Sequence, residues 1–192
     1  MTSETLKNPS VVTIPNPIGI DLAIKNIQVA FGTLPWLEKS FGRAWMMNRN
    51  VANEKRVEPM VYQGGKEYYP VLPNDALKSY SFFYVTGQRR TDEYAANVAF
   101  GTYFFNDPVS AIFWVNLEAI DNTKDYIFKE ELIRDVLALL NRDANVTVNA
   151  VWDDKIEDIY KGFTIKDQRD LLMYPYQAFR LDISLRYQFS CP

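Results

Sequence analysis

Between Phe179 and Phe189 the chain alternates without a break. Phe179, Leu181, Ile183, Leu185, Tyr187 and Phe189 take every second position, and Arg180, Asp182, Ser184, Arg186 and Gln188 stand between them. Successive side chains of a strand point to opposite faces, so this run predicts a strand with one apolar and one polar face. A strand wetted on one side belongs in an antiparallel setting, because parallel crossovers put helices over both faces. The rest of the chain must then supply antiparallel partners and a cover for the apolar face.

Partners are legible upstream. Ser79–Val85 (SYSFFYV) and Ala111–Leu117 (AIFWVNL) are compact, β-branched and aromatic runs bounded by turns, and they read as core strands. Asn145 to Trp152 alternates as a further strand. Arg56 to Leu72 carries Gly64-Gly65 between two β-prone arms, a hairpin signal, and Pro59 and Pro70 place its strands at a sheet edge. Tyr94 to Phe105 is either another strand or a short helix leading into one. The most apolar stretch, Tyr94 to Leu117, is interrupted by Asn97 and by Asn106-Asp107-Pro108, which would be costly in hydrocarbon, so it reads as two buried elements and not as a membrane span.

The cover comes from two helical patterns. Asn16-Pro17 is a helix start with an amide cap and proline in the first turn, and Ile20, Ile24, Ile27, Phe31 and Leu34 follow as one stripe limited by Pro35. From Asp125 to Asn141, Phe128, Leu132, Val136, Leu139 and Leu140 share a face, with Lys129, Glu130, Arg134 and Asp135 towards water. Trp36 to Met47 has helical spacing but contains Gly42 and clustered aromatics, so helix and strand both stay open there. Asp153 to Asp170 reads as a charged connector. Residues 1–17 hold Pro9, Pro15 and Pro17 and form an extended N-terminal arm, free to dock on the body or on a neighbour. The expectation is an arm at 1–17 and a single domain at 18–192. Its fold class is α+β: a mainly antiparallel sheet of six or seven strands with two or three helices packed on one face. A doubly wound nucleotide fold is disfavoured, since neither GxGxxG nor a P-loop occurs.

Composition narrows the chemistry. Among the 192 residues there is no histidine and one cysteine, Cys191. Imidazole-based nucleophilic centres and His-ligated zinc are therefore excluded, as are internal disulfides and thiolate clusters. The 21 Lys+Arg and 24 Asp+Glu leave a net charge of −3, which gives no field favouring a polyanion over the whole surface. The start, MTSETLKNPSVVTIPNP, lacks a basic segment followed by an apolar run, so no signal peptide is read there. Low cysteine use agrees with a reducing, intracellular setting.

Three clusters merit weighing. Asp153, Asp154, Glu157 and Asp158 would pair one turn apart on a helix and so could bind a divalent cation. A hard cation needs further oxygen ligands at defined positions, which favours a solvated face instead. Arg89 and Arg90 lie in a loop, where adjacent guanidinium groups either face solvent or form an inter-subunit salt bridge. The tyrosines and phenylalanines from Tyr62 to Tyr84, Tyr68 and Tyr69 among them, could stack on bases, but only Lys66 and Lys78 are interleaved. Core packing with a tyrosine-rich protein interface fits better, making Arg89, Arg90, Tyr68 and Tyr69 the candidate inter-subunit contacts. No catalytic, cofactor or metal residue is assigned, and no enzyme activity is expected.

The segment Leu34-Pro35-Trp36-Leu37-Glu38-Lys39-Ser40-Phe41-Gly42-Arg43-Ala44, with Tyr62-Gln63-Gly64-Gly65-Lys66-Glu67-Tyr68 and Leu72-Pro73-Asn74-Asp75, resembles small virion proteins of tailed bacteriophages. The likeness is to tail-terminator-like or ring proteins of the head–tail connector and tail, including those of crAss-like phages. The later order of strand, helix, strand and long final strand is similar to the tail-terminator plan, so the resemblance covers most of the chain. It implies a homo-oligomeric ring that continues the DNA conduit and joins portal, connector or tail proteins. Localisation in the virion follows, after synthesis in the host cytoplasm, with no membrane partner and no cofactor. A slightly acidic lumen wall, Asp153 to Asp158 included, would let packaged DNA slide. The alternative from another class is an intracellular divalent-metal-dependent enzyme using Asp153, Asp154, Glu157 and Asp158. A single-strand nucleic-acid binder using the tyrosines ranks last.

Overall fold

The alternating C-terminal run lies inside the longest strand pair of the protein. A computed structural model describes residues 10–91, 102–165 and 173–190. In chain order the elements are β1 (Ser10–Val12), α1 (Ile20–Phe31), β2 (Lys39–Val51), β3 (Glu54–Gly64), β4 (Glu67–Pro70), β5 (Ser79–Val85), β6 (Arg90–Thr91), β7 (Thr102–Asn116), α2 (Leu117–Ile120), α3 (Lys129–Leu140), β8 (Val146–Trp152), α4 (Ile156–Ile159) and β9 (Tyr176–Ser190). The sheet runs β4-β3-β2-β5-β7-β9-β8, with β1 beside β2 and β6 beside β7. Neighbours are antiparallel except for β1 with β2 and β2 with β5. The architecture is thus mixed α and β, with a large, mostly antiparallel sheet and, among the described residues, two helices of 12 residues and two of four.

Register assigns each side chain a face. Phe83, Ala111 and Leu181 stand in line across β5, β7 and β9, and Phe113 opposes Phe179. These two rings stack at 4.7 Å and 11°, a geometry that adds roughly 1 kcal/mol beyond burial. On this first face lie the two long helices, α1 through Ile20, Ile24, Ile27 and Phe31, and α3 through Leu132, Ile133, Val136 and Leu140. Trp36 seals the junction, with its indole Nε1 donating to Asp135 Oδ2 at 3.3 Å.

The second face is not simply wet. Tyr80, Phe82, Ile112 and Trp114 form a second core with Ala44 and Val61 of the β2–β3 hairpin and with Ile159, Tyr160, Phe163 and Ile165. The hairpin reaches this face because β2 changes partners midway. Lys39–Phe41 lies between β1 and β5, whereas Ala44–Val51 pairs with β3. The register slips between Ser40 and Arg43, and Gly42 sits at the slip with the Val12 carbonyl oxygen 3.4 Å from where a Cβ would stand.

Several expectations change. Residues 10–17 dock on the chain's own body through β1, while residues 1–9 lie outside the described residues. The first helix begins at Ile20 with Gly19 as its cap, since Asn16 takes a left-handed φ of 48° and breaks the start expected at Pro17. Trp36 to Met47 resolves as mainly strand. Asn106-Asp107-Pro108 runs inside β7 as part of the strand. Thr86 N donates to the Pro108 carbonyl, so the side of Pro108 that lacks an N–H faces the end of β5 and no bond to β9 is lost. Pro59 lies in an internal strand, opposite Met46 of β2, and on its other side its carbonyl accepts from Val71 N just past the end of β4 at 2.8 Å. The connector after Trp152 holds α4 and buries Ile159, Tyr160, Phe163 and Ile165, so it belongs to the core. The two long helices share one face as expected, and α4 lies on the other. Residues 92–101, including Tyr94 and Asn97, fall outside the described residues, as does Cys191. No helix among the described residues is long and apolar enough to cross a membrane.

Candidate functional site: a polar recess on the second sheet face

One row along the second face, aromatic core gives way to polar groups. Phe82, Ile112 and Arg180 are in register, and the next row is Tyr84, Ser110 and Asp182. Met46 from β2 and Lys161 from the turn after α4 rim this row. Together with Thr86 they bound a recess of about 310 Å³.

Its centre is a carboxylate held by three donors. Asp182 Oδ1 accepts from Ser110 Oγ at 2.5 Å, and Oδ2 accepts from Trp152 Nε1 at 2.7 Å and Arg180 Nη2 at 3.0 Å. Arg180 Nη1 donates to the Asp158 carbonyl, and its guanidinium lies 5.4 Å from the Trp152 ring centroid. The Arg180 side chain is only 7% exposed, and its Nε has no hydrogen-bond partner among the described residues. Burying this guanidinium is tolerable because its charge is matched by Asp182. Three of the roughly four acceptor positions of the Asp182 carboxylate are thus taken, and its charge is balanced by Arg180.

A second polar cluster lies on the helix-covered face. Asp107, 1% exposed, accepts at Oδ2 from Tyr187 Oη at 2.8 Å and from Arg89 Nε at 3.2 Å. Burial, then the adjacent carboxylate, holds the Tyr187 phenol well above the usual range. Burial also raises the carboxyl of Asp21, opposed by the charges of Arg43 and Arg89.

The residues singled out from sequence distribute as follows. Arg89 is engaged inside its own chain by Asp107, whereas Arg90 is exposed in β6 opposite Asn106. Tyr68 and Tyr69 are 39% and 45% exposed on β4. Tyr69 Oη donates to Glu67 at 2.6 Å. Asp153 pairs with Lys129 Nζ at 3.0 Å. Because α4 starts only at Ile156, Asp153 and Asp154 precede the helix and the one-turn pairing with Glu157 and Asp158 does not form. Among the described residues, no group of three or more carboxylate or thiol side chains comes together to hold a metal ion.

Sequence reasoning missed the recess. Arg180 and Asp182 occupy the polar phase of an alternating strand, which by pattern alone means solvent. The available signal was local charge complementarity, Arg and Asp two residues apart on one face of a strand, beside Ser110 in a neighbouring apolar run. No family model matches the sequence, and no curated protein matches it.

Proposed function

We propose that the protein is a structural subunit of a ring in the head–tail connector or tail of a tailed bacteriophage, with a tail-terminator-like role. The observation that carries this reading is that the sheet is open at both ends. Among the described residues β4 pairs only with β3, and β8 only with β9. An unpaired edge is a template for a neighbouring chain unless it is blocked.

Large side chains gather at both ends. Tyr68 and Tyr69 flank the β4 edge, Trp45 is 43% exposed on nearby β2, and Val151 and Trp152 are exposed on β8. Tyrosine and tryptophan are the residues that interface cores favour. Two different adhesive edges on one subunit are what a head-to-tail, closed assembly requires, because each heterologous contact joins unlike surfaces. The sequence resemblance supplies the setting: a virion conduit bounded by portal, connector or tail proteins, assembled from chains made in the host cytoplasm. In this role the protein needs neither cofactor nor catalysis.

Native mass spectrometry and electron microscopy test the reading, on the protein alone and mixed with portal and tail components. A cyclic oligomer that is lost in Tyr69→Lys and in Val151→Lys supports it. A protein that stays monomeric in every mixture overturns it.

A further inference from the structure

We infer that β4 of one copy adds to the outer edge of β8 of the next as an antiparallel strand, with Tyr68 opposite Val151 and Pro70 opposite Val148. The inference rests on the ring reading and names the contact that would join its subunits. It follows from the main-chain groups that each edge presents.

On β8, Arg186 N donates to the Asn145 carbonyl at 2.8 Å, so Asn145 and, two residues on, Thr147 turn their main-chain groups to β9. Val148 therefore turns outward. The register slips between Val148 and Ala150, and beyond the slip Ala150 and Trp152 oppose Asp182 and Arg180, whose main-chain groups turn the same way as those of Arg186. Val151 is thus the next residue to turn outward. Because Val148 opposes Ile183 and Val151 opposes Leu181, the two stand only two strand positions apart across the slip. On β4, Val71 N donates to the Pro59 carbonyl at 2.8 Å, so Tyr69 also faces β3, whereas Tyr68 and Pro70 turn outward. Their spacing is the same.

One antiparallel register lays both outward residues of β4 on both of β8. Tyr68 and Val151 then exchange two hydrogen bonds, and Val148 N donates to the Pro70 carbonyl, which belongs to a residue with no N–H to return. Sliding β4 by two residues breaks the match: one direction puts Tyr68 against Asp153, and the other puts Lys66, a turn residue with φ 68°, against Val151. The faces agree as well. Tyr68 opposes Tyr62 on the side of β4 away from Val61 and the second core, while Val148 and Val151 oppose Ile183 and Leu181 of the first. Tyr68 and Val151, each 39% exposed, become an aromatic and β-branched cross-strand pair.

Charge fixes the direction. Antiparallel addition brings Lys66 to Asp153-Asp154 at the end of β8, whereas parallel addition would bring it to Arg142 at the start. Over its seven residues β8 has no charged side chain, proline or glycine to guard it. The four residues of β4, with proline turned outward, are guarded against most other strands.

Cysteine cross-linking in a Cys191→Ser background tests the register. Directly opposed residues have Cα atoms about 4.5–5.5 Å apart, within disulfide reach. On mild oxidation, Tyr68→Cys with Val151→Cys should give a reducible ladder of dimer, trimer and higher species, while either substitution alone stays unlinked. Tyr68→Cys with Thr147→Cys, which opposes Ser184 on the other face, should not link. Hydrogen exchange on the unaltered chain gives an independent readout. In the assembly, the amides of Tyr68, Val148 and Val151 should exchange at least ~10-fold more slowly than in monomeric Val151→Lys, with Tyr69 and Thr147 unchanged because they are bonded within the subunit. A cyclic oligomer in which those three amides do not slow overturns the strand pairing and leaves the ring reading standing, whether or not the double variant assembles. Linked dimers from Val151→Cys alone would show β8 meeting itself and overturn it too. A protein monomeric in every mixture removes the ring reading, and this contact with it.

Discussion

Tyr187 and Asp107, 80 residues apart, are joined by a hydrogen bond of 2.8 Å from the phenol to Oδ2 of a fully buried carboxylate. Arg89 reaches the same oxygen, and Oδ1 has no hydrogen-bond partner among the described residues. The bond ties β7 to β9 where both strands pass Asn106-Asp107-Pro108. Tyr187→Phe removes one of two donors from a carboxylate that cannot reach water. The expected loss is about 1–3 kcal/mol, read as a lower urea midpoint at unchanged slope.

The buried phenols set a limit in alkali. Burial is the largest cause raising Tyr80 and Tyr160 above the ordinary tyrosine range, and Tyr187 is raised as well. In the unfolded chain these groups ionise near pH ~10 while the native state keeps their protons. Above that pH the native state binds more protons than the unfolded one, so the contribution of these tyrosines to stability is flat below pH ~10 and falls above it. The slope is about 1.4 kcal/mol per pH unit for each such tyrosine. Urea midpoints measured from about pH 8 to about pH 11.5 should show the fall, and Tyr160→Phe should make it shallower.

Gln28 holds the N-terminal strand in place. Its Nε2 donates to the Val12 carbonyl at 3.1 Å and the Ser40 carbonyl at 2.8 Å from a fully buried position on α1. Gln28→Met keeps the volume and removes both bonds. We expect a cost of about 1–3 kcal/mol and faster hydrogen exchange at Val11 and Val12, with the amides of α3 unaffected.

Gly162 and Gly65 both have positive φ, 91° and 59°, but only Gly162 faces a neighbour where a Cβ would be. Gly162→Ala should cost about 1–2 kcal/mol from backbone strain and displace Met46 from the recess. Gly65→Ala meets open space and should carry the backbone penalty alone. Thermal unfolding of the two variants, with the Met46 methyl resonance as a local probe, separates these effects.

Much of the sheet is readable from local pattern. Ser79–Val85 is a strand with the bounds expected, the alternation through Phe189 lies within β9, and the stripes of α1 and α3 point at the core. Breaks were harder to place. Asn106-Asp107-Pro108 looks like an interruption, yet the strand continues through it because the one face of Pro108 that lacks an N–H lies past the end of β5. The segment after Trp152 looks like a charged linker, because its apolar residues follow neither period and their burial depends on the hairpin that folds over them.

Alternation and helical stripes arise from contacts within a few residues, so the sequence alone determined the identity of the regularly patterned elements (β5, β8, β9, α1 and α3), the mainly antiparallel character of the sheet, and the exclusion of imidazole and thiolate chemistry. Tertiary structure decided what covers the second face. Whether Arg180 meets water or Asp182, Trp152 and the Asp158 carbonyl depends on β2 bending at Gly42 and on the chain after α4 returning across the sheet. Those are contacts between distant segments, and their cost and gain appear in no local window. The same polar phase of one strand is therefore solvated at Arg186 and buried in a charged recess at Arg180.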